Sequence, residues 1–171
     1  FDYVAKIGSG ERAVGGSTIT QQVAKNLLVG NEYSVTRKLR EMILATRIEG
    51  VLTKREIITL YLNEIPLGRR SFGVQAAARA YFDKDVGDLA LHEMAYLAIL
   101  PKAPETYSRQ ANFAEARERR DWVLGQMAEN GHITAAEAAA AQARPLGIVA
   151  GQRRERSADA GYFLEEVRRD L

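Results

Sequence analysis

The sequence predicts an all-α fold, and three features of its patterning carry that prediction. Apolar residues recur at helical spacing in successive segments along nearly the whole chain of 171 residues. Most of these segments open with a residue that can cap a helix and close at glycine or proline. Strand patterns are almost absent, since only "GIVA" at 147–150 is ambiguous.

Capping residues set the predicted boundaries of the helices. The predicted N-caps and capping boxes are Ser17 or Thr18 with Gln21, Thr53 with Glu56, Asp88 alone, and Thr134 with Glu137. The predicted stops are Gly50, Pro66, Pro101, Asn130 with Gly131, and Pro145. The resulting helical segments are 17–28, 36–48, 53–65, 73–82, 89–100, 113–130, 134–144 and 160–171.

The composition is that of a globular domain and excludes several kinds of site. Hydrophobic residues make up 46% and charged residues 27%, and a formal net charge of +2 gives no polycationic bias towards nucleic acid. With no cysteine in the chain, disulfides, thiolate zinc sites and cysteine nucleophiles are excluded. There are only two histidines, which argues against a multi-histidine metal site. The longest apolar run, "MAYLAIL" at 94–100, is well short of the roughly 18 residues of a membrane-spanning helix.

The first predicted helix separates into a polar arc and an apolar arc when residues are placed at about 100° each. The polar arc is Thr18, Gln22, Lys25 and Asn26, and the adjacent apolar arc is Ile19, Val23 and Leu27. Amides and hydroxyls form directional hydrogen bonds, and a helix N-terminus presents free N–H groups to an anion. From these residues alone, an ordinary solvated face and a face that binds a polar ligand both remain open.

The second predicted helix carries a carboxylate beside two cations. Glu41 follows Arg37 at i, i+4 and Lys38 at i, i+3. Two apolar stripes predict burial of much of this helix. The first stripe is Leu39, Met42, Ile43 and Thr46, and the second is Leu44, Ala45 and Ile48. The charged residues fit a local salt bridge. They also fit a diphosphate clamp in which Glu41 supplies acid–base or electrostatic help.

Two further segments combine apolar residues with polar candidates for binding. The third predicted helix has a core-facing set made of Ile57, Ile58, Tyr61, Leu62 and Ile65. Lys54 and Asn63 on the same helix are candidates for a binding role. Further along, a basic surface with an apolar underside is predicted from Arg119, Arg120, Trp122, Val123 and Leu124.

Four segments, taken in their order and spacing, carry a family resemblance. They are "GGSTITQQVAKN" (15–26), "RKLRE" (37–41), "KREIITLYLN" (54–63) and "RRDWVL" (119–124). The chain resembles the glycosyltransferase family 51 domain, the peptidoglycan polymerase module of class A penicillin-binding proteins and of monofunctional transglycosylases. The segments would be the second to fifth motifs of that family, with Ile58 where the family has Leu. The resemblance covers roughly residues 1–145.

The resemblance implies a specific reaction. In the family, lipid II carries a disaccharide-peptide on an undecaprenyl diphosphate, and the C4 hydroxyl of the incoming GlcNAc attacks C1 of the MurNAc at the growing end. The lipid diphosphate leaves, the anomeric centre inverts, and a β-1,4 glycan results. A general base must take the hydroxyl proton, and positive charge must stabilise the leaving diphosphate. No cofactor is required, and a magnesium or manganese ion at the diphosphate is compatible with the reaction.

Site residues follow from the same resemblance. Glu41 would be the second catalytic carboxylate, acting near the diphosphate. Lys25, Arg37 and Lys38 would bind the diphosphate. The donor side would be lined by Ser17, Thr18, Gln22 and Asn26, and the cleft would be supported by Lys54, Asn63 and Arg119.

The resemblance also implies an architecture and a cellular setting. The fold would be a lysozyme-like helical lobe with a smaller membrane-facing lobe, and "LLVGNEYSVTRK" at 27–38 would belong to the smaller one. The apolar residues of that segment fit either a bilayer surface or a core. We predict a glycosyltransferase domain at 1–148 and, at 149–171, a linker that leads into a transpeptidase domain. The expected setting is the periplasmic face of the inner membrane, with lipid II and the growing glycan as partners and no nucleic acid.

One family motif falls outside the sequence. The first motif, which holds the general-base Glu, is expected before Phe1. We therefore expect the domain as written to be N-terminally incomplete, to bind the donor poorly and not to polymerise it. Two rival functions stay open. One is a lysozyme-like hydrolase with two carboxylates flanking a glycosidic bond, and the other is a non-catalytic module that binds lipid II or a partner.

Overall fold

Helices make up the regular structure of both units into which the chain divides, residues 1–65 and 66–171. The computed structural model describes residues 17–27 and 35–150. The described helices of the first unit are α1 (Ile19–Leu27), α2 (Val35–Val51) and α3 (Lys54–Glu64). Those of the second unit are α4 (Val74–Phe82), α5 (Leu91–Ile99), α6 (Pro104–Tyr107), α7 (Phe113–Glu129) and α8 (Ala135–Gln142). No β-strand occurs within the described ranges, where an isolated bridge joins Pro66 and Phe72, so the all-α prediction is confirmed.

The capping boxes predicted from the sequence start α3 and α8. Thr53 Oγ1 accepts the Glu56 N–H at 3.3 Å, and the Glu56 carboxylate accepts the Thr53 N–H at 2.8 Å. Thr134 and Glu137 form the same reciprocal pair of bonds at the start of α8. Both predictions are confirmed. The sequence is sufficient to make them because the partners are only three residues apart and their pairing does not depend on the rest of the fold.

Two predicted helix boundaries are wrong. Gly50 does not stop α2, which continues through it to Val51. Asp88 does not cap α5 but ends a short 3-10 turn. The residue before α5 is Ala90, whose N–H donates to the Glu93 carboxylate at 2.8 Å. This is the half of a capping box in which the first-turn carboxylate accepts from the N-cap N–H, and the Glu93 N–H donates to the Ala90 carbonyl at 3.0 Å.

The first unit packs around one face of α1. Val23 and Ala24 on this face are fully buried, and α1 packs against both α2 and α3. Ala45 of α2 and Ile57 of α3 are buried as well. Small residues at 24 and 45 let the helix backbones come close, which positions the start of α1 beside α2.

Several apolar side chains that the sequence predicts as buried are exposed. They are Leu39, Met42 and Ile43 of α2 and Leu62 of α3, and Ile19 and Leu27 on the apolar arc of α1 are exposed as well. The buried face of α2 is the one that carries Glu41 and Ala45. The prediction that much of the circumference of α2 is buried is therefore wrong for the stripe that contains Leu39, Met42 and Ile43. Periodicity identifies apolar stripes, but it does not say which stripe meets a neighbour.

Three aromatic rings form the centre of the second unit. Tyr96 meets Tyr81 and Phe82 edge-on, with ring centroids 5.5 and 5.9 Å apart. The Tyr81 hydroxyl donates to the Leu67 carbonyl at 2.7 Å, and burial raises the pKa of Tyr81 to about 12. The residue beside this ring must be glycine. Gly68 has a φ of +77°, and a Cβ there would lie 2.7 Å from the Tyr81 hydroxyl oxygen.

The guanidinium of Arg120 is fully buried between α7 and the end of α8. It donates to the carbonyls of Gln142, Arg144 and Pro145 at 3.1, 2.9 and 3.3 Å. It also pairs with Asp121 at 2.6 Å. The last carbonyls of a helix have no partners within the helix, so this arginine satisfies the end of α8 from another element. The predicted basic surface on α7 therefore does not include Arg120.

Some predictions fall outside the described residues. They are the last predicted helix, the linker beyond residue 150, and most of the segment at 27–38. Residues 147–150 are described and form no strand; there, the Val149 N–H donates to the Tyr81 carbonyl at 2.8 Å. Within 17–27 and 35–150, no helix combines the length and apolar character needed to cross a membrane.

We predict that Arg120→Met destabilises the second unit by about 3–5 kcal/mol, because it strips the buried carbonyls and Asp121 of their donor. Unfolding in urea can be followed by the fluorescence of Trp122, the only tryptophan in the sequence. The matched control is Arg117→Met on the same helix. Arg117 is half-exposed, and its Nε is as far as 3.9 Å from Asp121 Oδ2, so this ion pair is weak. We therefore expect the free energy of unfolding to change by no more than about 0.5 kcal/mol. Equal effects of the two variants would contradict the buried role of Arg120.

A second prediction concerns pH and the buried Glu93, whose oxygens lie 2.8 and 2.9 Å from Lys84 Nζ. Burial alone would raise the pKa of Glu93, but the bonds from Lys84 and the Ala90 N–H outweigh it and hold this pKa below the usual 4.5. The ionised form is favoured by folding, so its stabilisation is full above pH 4.5 and is lost as the pH falls through the lowered pKa. We expect Glu93→Gln and Lys84→Met to cost stability at pH 7 and much less at pH 3. A cost that is constant across this range would rule out the ion pair as its origin.

Candidate active site

Glu41 is the buried centre of a charged cluster on α2. Its side chain is 8% exposed, whereas those of Arg37 and Lys38 are 20% and 25% exposed. Arg37 Nε lies 3.2 Å from one carboxylate oxygen and Lys38 Nζ lies 3.2 Å from the other. Each oxygen therefore holds one cation. The two cations are on the more exposed side of the carboxylate.

Lys38 also connects this cluster to the start of α1. Its Nζ donates to Ser17 Oγ at 3.0 Å, although the two residues are 21 positions apart. The packing of α1 on α2 through Val23 and Ala24 makes this contact possible. The structure thus brings together the segments "GGSTITQQVAKN" and "RKLRE". We call the group formed by Ser17, Arg37, Lys38 and Glu41 the Glu41 cluster.

The first turn of α1 is organised by Thr18. Its hydroxyl accepts the Gln21 N–H at 3.2 Å, which confirms Thr18, rather than Ser17, as the capping side chain. Gln22 turns back towards the same end of the helix, with Nε2 3.5 Å from the Ser17 carbonyl oxygen. The N-terminus of a helix favours negative charge through its free N–H groups and its dipole. Helix end and cluster therefore attract an anion to the same place.

Four other predicted binding residues lie away from the cluster. Lys25 and Asn26 are exposed in the last turn of α1. Lys54 and Asn63 are exposed at the two ends of α3. In the described part of the chain, no hydrogen bond or ion pair links any of them to Glu41. Their roles in binding remain predictions from the resemblance.

Arg119 belongs to the second unit, on α7. Its guanidinium carbon lies 4.0 Å from the centroid of the Trp122 ring, at the distance of a cation–π contact. The ring was predicted as part of an apolar underside, yet it is half-exposed. The i, i+3 spacing of the two residues is visible in the sequence. It does not identify the pair, because Arg120 also lies close to Trp122 along the chain.

The described residues do not form a metal site. Within 17–27 and 35–150, no group of three or more His, Asp or Glu side chains lies close enough to hold an ion. Both oxygens of Glu41 already accept hydrogen bonds from cations. This carboxylate would have to release Arg37 or Lys38 to become a ligand. The donor set therefore does not fit a resident magnesium or manganese ion.

The Glu41 cluster is suited to holding an anionic group with several oxygens. Arg37 offers a planar set of N–H donors that matches phosphate oxygens, and Lys38 offers a compact charge. The buried carboxylate fixes both cations on one side of α2 before a ligand arrives. Such preorganisation makes charge stabilisation effective, because the donors do not have to reorient as negative charge develops.

Comparison with known proteins identifies relatives of this chain. A family model described as Transglycosylase matches residues 3–128. Penicillin-binding protein 1A of Vibrio cholerae is 49% identical over 142 residues, which are 83% of this chain and 17% of that protein. Penicillin-binding protein 1A of Rickettsia felis is 42% identical over 160 residues, which are 94% of this chain and 20% of that protein. The chain thus spans about a fifth of the length of these curated relatives.

A solved structure supports the same relationship. The crystal structure of penicillin-binding protein 1A from Haemophilus influenzae aligns with a TM-score of 0.57 at 30% sequence identity. The alignment covers 93% of this chain and 21% of that chain. At this identity and score, the likeness extends to the helical fold.

We predict that Glu41→Gln destabilises the first unit by about 1–3 kcal/mol, since it leaves two cations together without their shared carboxylate. The measurement is hydrogen exchange of the amides in α1 and α2, which should accelerate together. Glu49→Gln is the matched control, because Glu49 is exposed on the same helix. If both variants exchange like the parent chain, the cluster contributes nothing to the packing of α1 on α2.

Proposed function

The chain belongs to the transglycosylase family, and we propose that it is a peptidoglycan glycosyltransferase domain. Its reaction would polymerise lipid II into β-1,4 glycan strands. The Glu41 cluster is the observation that carries this proposal. A diphosphate bound to a lipid is the anion that leaves in such a reaction, and the cluster presents two fixed cations beside a helix N-terminus. Undecaprenyl diphosphate would be the released product.

In the proposed reaction, Arg37 and Lys38 stabilise the leaving group. The bond between C1 of the MurNAc and the diphosphate oxygen breaks with its electron pair going to that oxygen. Negative charge therefore grows on the diphosphate in the transition state. Cations that are already in place at this position lower the barrier more than mobile ones, because no reorganisation is needed.

Glu41 acts, in this proposal, near the diphosphate through the two cations. Its oxygens lie 3.2 Å from Arg37 Nε and from Lys38 Nζ, so it aligns both groups from the buried side. The geometry favours an electrostatic role for the second catalytic carboxylate over a role in proton transfer. Both of its oxygens already accept hydrogen bonds from the two cations.

The proton of the acceptor hydroxyl then needs a different base. The new bond joins O4 of the GlcNAc to C1 of the MurNAc, and the hydroxyl proton must leave as that bond forms. We assign this step to the Glu of the first family motif, which the resemblance places before Phe1. The donor sugar and diphosphate would contact Ser17, Thr18, Gln22, Lys25 and Asn26, with Lys54, Asn63 and Arg119 supporting the cleft.

We further propose the setting in which the reaction takes place. Lipid II is a membrane lipid, so the enzyme would work at the periplasmic face of the inner membrane and contribute to cell wall growth and cell shape. The relatives are about five times as long as this chain, which leaves room for a transpeptidase domain in the same protein. No resident cofactor is proposed, and a divalent cation would take part only as a counterion that the diphosphate brings with it.

Two rival functions predict different outcomes when the protein meets its substrate. A lysozyme-like hydrolase would place two carboxylates across a glycosidic bond and would generate new reducing ends from existing glycan. It has no use for two cations held by a buried carboxylate. A non-catalytic module would bind lipid II without turnover. Incubating the full-length protein with lipid II and, separately, with preformed glycan distinguishes the three. Release of undecaprenyl diphosphate from lipid II supports the proposal, whereas new reducing ends in the glycan or no change in either substrate overturns it.

We predict that Glu41→Gln and Lys38→Met each lower lipid II polymerisation by the full-length protein by about a hundredfold, because each weakens the charge stabilisation of the diphosphate. Glycan chains are measured by gel electrophoresis of labelled lipid II. Glu49→Gln, on the exposed part of α2, should polymerise at the parental rate. Full activity of folded Glu41→Gln would show that Glu41 is only a structural residue.

A further inference from the structure

We propose that Arg69 latches the exit segment, residues 145–150, to the C-terminal end of α4 and so holds Val149 at a fixed point on the second unit. The exit segment follows α8 and has no regular secondary structure. Its position is nevertheless defined by hydrogen bonds at Val149. The proposal concerns the fold of the second unit and does not depend on glycosyl transfer.

The first step of the argument is the C-terminus of α4. A helix leaves its last carbonyls without partners inside the helix, and in buried surroundings they must be satisfied from elsewhere. The Ala80 carbonyl accepts from Arg69 Nη1 at 2.8 Å. The Tyr81 carbonyl accepts from the Val149 N–H at 2.8 Å. The exit segment therefore supplies one of the two donors that complete this end of the helix.

The second step is that Arg69 holds the exit segment as well as the helix. The same Nη1 that donates to Ala80 also donates to the Val149 carbonyl at 3.0 Å. The guanidinium carbon lies 4.6 Å from the centroid of the Tyr81 ring. Val149 is thus bound through both its N–H and its carbonyl, and the positive charge sits at the end of the helix where it is favourable.

The third step is the backbone that carries Arg69. Arg69 and Arg70 have φ values of +49° and +58°, in the left-handed region that residues with side chains rarely occupy. A bond from the Ser71 N–H to the Gly68 carbonyl at 2.8 Å closes this turn. Two adjacent strained residues are retained only where the surroundings compensate for them. The bonds of Arg69 to Ala80 and Val149 supply that compensation.

The latch joins a residue outside the family match to a helix inside it. The match ends at residue 128, so Arg69 and α4 lie within it and Val149 lies beyond it. The connection predicted for 149–171 would begin at this point.

Hydrogen exchange of the Val149 amide in the full-length protein tests the latch. Arg69→Met keeps an apolar stem over the Tyr81 ring but removes the donors, and we expect exchange at Val149 to accelerate about tenfold or more. Amides in α5 and α7 should stay within about twofold of the parent. Arg70→Met is the matched control, because Arg70 is the exposed neighbour in the same turn, and it should leave Val149 unchanged.

Arg69→Lys is the second variant and keeps the test decisive if the methionine variant does not fold. It retains the charge but not the planar donor group, so we expect acceleration at Val149 that is smaller but measurable. An unchanged Val149 amide in either folded variant would overturn the proposal. The same acceleration throughout α5 and α7 would also overturn it, because Arg69 would then support the whole unit rather than the exit segment.

Discussion

Each buried charged side chain described in this fold is paired with an oppositely charged side chain beside it, and that constraint organises both units. In the first unit the group is Glu41, whose two oxygens are each matched by a cation from the preceding turn. The apolar contacts of Val23 and Ala24 bring α1 close to α2, and Ser17 then meets Lys38. The charged pairs thus depend on apolar packing, because two helices must be in place before the cluster is complete.

The second unit follows the same constraint with arginine in place of glutamate. Arg120 lies at the end of α8 and Arg69 at the end of α4, and each donates to carbonyls that a helix terminus leaves without partners. A guanidinium suits this task because it has five donors in a fixed plane and remains charged when buried. Both arginines therefore connect elements that are distant in sequence. In the same unit, the buried Glu93 is paired with the partly exposed Lys84.

The exposed position of the two cations in the first unit is a consequence of these packing requirements. Because Glu41 is more buried than its partners, the cations lie on the accessible side and the carboxylate behind them. The N-terminus of α1 adds its free N–H groups at the same end, with Thr18 as the cap. This arrangement suits the leaving diphosphate of the proposed reaction, and the family match agrees with that reaction.

The sequence by itself determined the helical class, the capping boxes of α3 and α8, and the pairing of Glu41 with Arg37 and Lys38. Each of these depends on residues within four positions of one another, so local spacing is sufficient to predict them. The family resemblance rests likewise on short motifs and was confirmed by the comparisons. Only the tertiary structure decided which apolar stripe of α2 is buried, and which of two adjacent arginines on α7 enters the core. It also decided that Ser17 meets Lys38 and that Arg69 holds Val149, because these contacts join positions 21 and 80 residues apart, whose approach depends on how whole helices pack.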